Sequence, residues 1–274
     1  MKNLILFACM MLISGMAFSQ ADTIFTNNEK IICSVKEITP DAVKFSYPNE
    51  DIINTVYKNT VQKIVFKSGR VQNFAENTSY KRVLGAKDFE NVSITRVESE
   101  VKGLFKLADV SSKAKGTTTM SNQERVKDRA YRKLKIEAAM QGGNIVYLTD
   151  ARTQGNIGGT QYQAGQTAEA SFSGVAYTNI LPKYDDFVKI LGEKSTLTAI
   201  EMVELYSSGS DMDLKEINKK VVIYKVYNES GMIMLKASIK GVDRDVFRVT
   251  NFTPGSFTVV YSNKTSLYNI KIIF

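Results

Sequence analysis

The sequence predicts an α+β fold: a small β-barrel-like domain, a central ββαββ domain, a short helical connector and a C-terminal all-β domain. Three observations carry this reading. Apolar and polar residues alternate at period two near both ends, as in Ile31, Cys33, Val35 and in Phe257, Val259, Tyr261. One long segment instead repeats every four residues, at Val126, Ala130, Leu134 and Ala138. Turn-forming clusters such as Asn27-Asn28, Pro48-Asn49-Glu50 and Ser68-Gly69-Arg70 cut the chain into short elements.

Residues 1–19 read as a secretory signal peptide. Lys2 supplies the positive start, Leu4 to Met16 the apolar run, and Ala17-Phe18-Ser19 the small residues before the cut. Cleavage is therefore expected between Ser19 and Gln20. The run is too short for a membrane span. Leu6-Phe7-Ala8-Cys9 resembles a lipoprotein processing box, but too few apolar residues precede it, so lipidation is not expected. Cleavage removes Cys9 and leaves Cys33 as the sole thiol, which excludes a disulfide within one chain. Cys33 lies in a strand pattern, where a buried, inert thiol is expected.

Residues 20–84 form the first domain. Ile31, Cys33 and Val35, then Val43, Phe45 and Tyr47, mark strands separated by the Thr39-Pro40-Asp41 turn. This spacing of short strands resembles that of SH3- or Sm-like barrels.

Residues 85–180 change character. Strands are expected at Val92–Val97 and Val101–Val110, followed by a polar stretch through Lys113-Ala114-Lys115-Gly116. Ser121-Asn122-Gln123-Glu124 reads as a capping box that opens a helix, and Gly142-Gly143-Asn144 as its stop. A strand follows from Ile145, then a Gly/Gln/Thr-rich hairpin over Gly155 to Gly165 and a last strand over Ala168–Ala176. The passage Leu134, Ala138-Ala139, Gly142-Gly143-Asn144, Val146 resembles the ββαββ domains of the YbjQ-like group and of the Rcs stress-sensing lipoproteins. The resemblance implies the fold. It does not carry over the cysteines of the stress sensors, nor metal binding, because this segment holds neither His nor Cys.

Residues 181–220 read as a helical connector. Pro182 opens a helix containing Tyr184, Phe187, Val188 and Leu191, and Gly192 ends it. A second helix is expected over Leu197 to Tyr206. Residues 221–274 return to strands and echo the first domain. Ile38-Thr39-Pro40 matches Phe252-Thr253-Pro254, and Val43, Phe45 and Tyr47 match Phe257, Val259 and Tyr261 at constant offset. Lys63-Ile64-Val65-Phe66 similarly matches Lys271-Ile272-Ile273-Phe274. The matches fit a repeat, and they also fit a chance sharing of alternation and a Thr-Pro turn. Val222-Ile223-Tyr224, Gly231, the run Val249 to Phe257 and the terminal Lys271-Ile272-Ile273 also resemble a type IX secretion sorting domain, though without the usual Tyr-Pro-Asn-Pro opening, so a secreted cargo is a second reading.

Function is read mainly by exclusion. The chain has no His, which removes Ser-His-Asp and Cys-His catalysis and His-ligated zinc. No cofactor or metal is expected. A formal charge of +8 suits an envelope protein, an anionic glycan or a lipid headgroup as partner; nucleic acid is not expected for an exported chain. The densest basic run, Arg125 to Lys135, is interleaved with Glu124 and Asp128 and reads as a solvated helix face. Three segments qualify as sites. Gly155, Asn156, Gly158, Gly159 and Thr160 offer backbone N–H groups to an anion, or form a plain loop tip. Asp211, Asp213 and Glu216 carry calcium-type oxygens without EF-hand spacing, so helix capping by Asp213 is the competing role. Asp185-Asp186 are adjacent on a helix and point apart; a carboxylate-dependent hydrolase is the remaining enzyme reading. The leading expectation is an exported, non-enzymatic binding or sensing module.

Overall fold

The computed structural model describes residues 21–27, 29–74, 80–118, 121–155, 157–158, 164–209 and 211–274. The chain divides into two compact units, residues 1–76 and 77–274. Among the described residues strands predominate, and no helix is long and apolar enough to cross a membrane.

In the first unit β1 (Asp22–Thr26), β2 (Lys30–Ile38), β3 (Ala42–Ser46), β4 (Asn54–Tyr57), β5 (Val61–Val65) and β6 (Val71–Asn73) make one sheet. Its order is β4-β3-β2-β1-β5-β6. The period-two residues Ile31, Cys33, Val43 and Phe45 join Ile24 and Ile64 in a small core. Buried Asp22 ties the sheet together, accepting hydrogen bonds from the Val35 and Lys67 amides at 2.8 Å each.

The second unit begins with a strap over residues 80–92 that includes a 3₁₀ stretch, Ala86–Asn91. A four-stranded sheet follows, built from β7 (Ser93–Thr95), β8 (Phe105–Lys115), β9 (Ile145–Gln154) and β10 (Glu169–Thr178) in the order β7-β9-β10-β8, with β7 parallel to β9. Helix α1 (Gln123–Met140) buries Val126, Ala130, Leu134 and Ala138 in the same core as β8, β9 and β10. Three local expectations change. The second strand runs over Phe105–Lys115 rather than Val101–Val110, because Val110, Ser112 and Ala114 alternate inward while Ser111 and Lys113 between them point out. The expected polar stretch is thus mostly strand. The helix cap is Asn122, whose Oδ1 accepts from the Arg125 amide at 3.1 Å; Ser121 Oγ instead accepts from the Thr118 amide.

Helix α1 ends as its glycines predict. Gly142 has φ +82°, a left-handed conformation suited to a residue without Cβ. A Cβ there would also lie 2.9 Å from the Thr250 carbonyl, so the glycine admits a close approach as well.

The connector over 181–220 is helical only in α2 (Tyr184–Leu191), ended by Gly192. The second expected helix is a strand, β11 (Thr196–Tyr206), and β12 (Met212–Glu229) starts well before residue 221. Together with β13 (Met232–Ile239), β14 (Val246–Phe252), β15 (Ser256–Ser262) and β16 (Ser266–Ile273) they form a closed six-stranded barrel. The correction has a physical cause. Strand β11 is apolar on both faces: Leu197 and Ala199 belong to the barrel core, whereas Val203 and Leu205 belong to the core under α1. A bulge between Ala199 and Glu201 further breaks the alternation. Doubly buried strands lose the period-two signature.

One hairpin at each end is paired in the same register. In β2–β3 the pairs are Ser34 with Ser46, Val35 with Phe45, Glu37 with Lys44 and Ile38 with Val43. In β14–β15 they are Arg248 with Val260, Val249 with Val259, Asn251 with Thr258 and Phe252 with Phe257, with a bulge at the equivalent place. Both turns are closed alike: Thr39 Oγ1 and Thr253 Oγ1 accept from the Ala42 and Ser256 amides. The Lys63–Phe66 match does not hold, since the strand beside β3 is β4, whereas the strand beside β15 is β16.

Candidate functional site

The second unit contains two lobes, the α1-covered sheet and the barrel, joined along a polar seam. Four of the side chains that stitch it define its polar character. Asn269 Nδ2 donates to the Met140 carbonyl at 3.1 Å, and Asn251 Nδ2 to the Val83 carbonyl at 2.7 Å. Lys133 Nζ donates to the Ser207 carbonyl at 2.5 Å. Arg248 donates to the carbonyl and the side-chain oxygen of Gln141 at the C-terminus of α1, where a cation also complements the helix dipole. Burial lowers the Lys133 ammonium below its usual range and pushes the Arg248 guanidinium down to about 10. The hydrogen bonds of Arg248 go to neutral oxygens of Gln141, and among the described residues no carboxylate pairs with it.

Where the seam opens it leaves a cleft of 430 Å³, within the range of small-molecule sites. Four elements shape it: the strap, the bend after α1, the end of β14, and the segment from the end of β10 into α2. Local bonds fix that last segment, with Thr178 Oγ1 accepting from the Ile180 amide and donating to the Ile180 carbonyl. Asn144 is buried at the base, and its Nδ2 donates to Asn179 Oδ1 at 2.6 Å. Its own Oδ1 is buried without a hydrogen-bond partner. The apolar wall comes from Ile180, Leu181, Pro182 and Phe252, and the rim carries Arg82, Lys183 and Asp186. Tyr80 adds a ring whose hydroxyl is already committed, donating to the Glu100 carbonyl at 2.6 Å. A second hollow of 330 Å³ lies on the other side of Asn251 and Phe252. Its two carboxylates are engaged: Asp88 accepts from the Leu84 amide, and Glu201 pairs with Lys87.

The segments singled out in the sequence do not converge on this cleft. Ser19 and Gln20 lie outside the described residues, as do Asn156, Gly159 and Thr160 of the proposed anion loop. Gly155 sits at the base of the hairpin at φ +84°, where a Cβ would fall on the Thr167 carbonyl, while a Cβ at Gly158 would meet open space among the described residues. Asp211 pairs with Arg132 at 3.3 Å, and Asp213 pairs with Lys215 at 2.9 Å within β12 rather than capping a helix. Among the described residues no cluster of acidic, His or Cys side chains is arranged for a metal ion. Asp185 and Asp186 both lie on the first turn of α2, and only Asp186 borders the cleft. Cys33 is 1% exposed, and burial, with the charge of Asp22, pushes its thiol up to about 11. It is an inert core residue, as its strand position implies. Residues 221–274 are not a separable body, because β12 crosses residue 220 and β16 closes onto β11.

Sequence reasoning treated Asn144 only as part of a helix stop and passed over Asn179, Asn251 and Arg82. Compared with protein-family models, with curated proteins and with solved structures, the chain matches none. The site therefore rests on its own geometry.

Proposed function

We propose that this protein is an exported, non-enzymatic binding module of a Gram-negative envelope, with the seam cleft as its ligand site. The leader-like residues 1–19 support export. The cleft is the observation that carries binding: it combines an apolar wall with hydrogen-bonding groups that the fold leaves uncommitted, the usual make-up of a small-molecule site. Asn179 uses its Oδ1 on Asn144, which leaves its Nδ2 to face a ligand, and the rim charges add orientation. Its groups suit holding a ligand better than transforming one, since among the described residues a single carboxylate, Asp186, borders it and the chain contains no imidazole.

One experiment tests both parts. Protein recovered from the envelope or medium of an expressing Gram-negative host is expected, by mass spectrometry, to begin at Gln20. A ligand-observed NMR fragment screen on that material is expected to give binders whose signal vanishes in Ile180→Trp, which fills the cleft. A chain retained in the cytosol with Met1 intact overturns export, and binders indifferent to Ile180→Trp overturn the site.

A further inference from the structure

Resting on the reading of the seam cleft as a binding site, we propose that its ligand is a small monocarboxylate carrying an apolar body. Charge decides the sign. Arg82 and Lys183 stand exposed on the rim, and neither makes an ion pair among the described residues. Among the described residues Asp186 is the single carboxylate lining the cleft, so the described side chains around it carry a net positive charge. A third cation stands behind the wall. Arg248 borders a narrow crevice that shares Gly142, Thr178, Leu181 and Pro182 with the cleft, and its bonds go only to Gln141. Largely withdrawn from water, its field is weakly screened toward an anion in the cleft.

The remaining chemistry sets the class. Ile180 is 53% exposed, and with Leu181, Pro182 and Phe252 it presents an apolar surface that a purely polar anion would leave unused. Asn179 Nδ2 adds a neutral donor suited to a carboxylate oxygen. Asp186 on the same rim repels a second negative charge, which favours a monoanion over a phosphomonoester. A protonated amine would face two unpaired cations against one carboxylate, and a neutral ligand would leave both cations unused.

The test is calorimetric titration of the purified full protein with phenylacetate, phenylacetamide and phenethylamine. Phenylacetate is expected to bind. Its affinity should fall about fivefold for Arg82→Ala or Lys183→Ala and about 25-fold for the double variant, taking roughly 1 kcal/mol per exposed charge at 4 Å in water. Asp186→Asn should strengthen it, added salt should weaken it, and Ile180→Trp should abolish it. N-acetylphenylalanine identifies the source of the carboxylate: tighter binding than phenylacetate points to a peptide C-terminus, and weaker binding to a free acid. Phenylacetamide or phenethylamine binding as tightly as phenylacetate, and lost in Ile180→Trp, overturns the carboxylate assignment while leaving the cleft standing. Phenylacetate binding that survives Ile180→Trp overturns the cleft itself. Failure of all three probes to bind overturns the assignment, and the fragment screen then judges the cleft alone.

Discussion

Glu204 is a carboxylate at the end of the barrel, with its side chain only 11% exposed. Burial alone would raise its pKa. Hydrogen bonds, chiefly from Tyr268 Oη at 2.6 Å, and the nearby Lys215 ammonium instead hold it below the usual carboxylate value. The linkage follows from the direction. A depressed folded-state pKa contributes stability that is present above the unfolded value, near 4.5, and is lost as pH falls through the folded value. Tyr268→Phe removes a hydrogen bond to a charged group, so it is expected to destabilise by about 1.5–3 kcal/mol at pH 7. That difference should shrink as the pH drops below 4.5 and Glu204 takes up its proton; urea denaturation of both proteins at pH 7 and pH 3 checks it. Glu137 behaves in the opposite sense. Burial raises its carboxyl above the ordinary value, although the Ser111 amide donates to it, so it costs stability as pH rises through that raised value. No spacing rule finds either residue, because the Ser111 amide and the Tyr268 hydroxyl that donate to them lie 26 and 64 positions away in the chain.

Among the elements, α2 was legible and β11 was not, and the contrast is instructive. Pro182 and Gly192 punctuate α2, and Tyr184, Phe187 and Leu191 fall on one face, so local chemistry suffices. Strand β11 serves two cores at once, and that information lies in α1 and in the barrel, not in β11. The same holds for β8, where small Ala114 between lysines conceals an inward face. The α1 stripe was read correctly but too narrowly. Ile136, Ala139 and Met140 are buried as well, in a core that includes Val203 and Leu205 of the barrel. Within α2, Phe187 is fully buried, and its ring lies 5.2 Å from that of Phe257 and 5.5 Å from that of Phe252. Phe187→Ala is therefore expected to cost about 3–5 kcal/mol. Val188→Ala, on the exposed side of the same helix, should stay within about 0.5 kcal/mol. Chemical denaturation midpoints compare the two, and equal losses would mean that α2 is not held through Phe187.

At the scale of the molecule, the sequence suggested separate middle and C-terminal domains, whereas residues 77–274 form one compact unit. Its lobes share a core through Val203 and Leu205, and the seam bonds add to it. Leu134→Ala beneath α1 and Leu235→Ala inside the barrel remove side chains from different lobes, each at about 2–5 kcal/mol. Both are expected to lower the same calorimetric transition; two transitions shifted independently would show that the lobes unfold apart. The candidate site was illegible for the same reason that the domain boundary was. Asn144, Asn179 and Asn251 are ordinary turn and strand residues in the sequence, and only the meeting of the lobes brings them to one opening.

A cleft made by the closure of two lobes exists only while they stay closed. Whatever occupies it is thermodynamically linked to the integrity of the whole 77–274 unit, although it touches only a few side chains. By mass action, a ligand at a hundred times its dissociation constant would add about 2.7 kcal/mol to the folded state. Through the seam, this protein would register the concentration of a small molecule as resistance to unfolding.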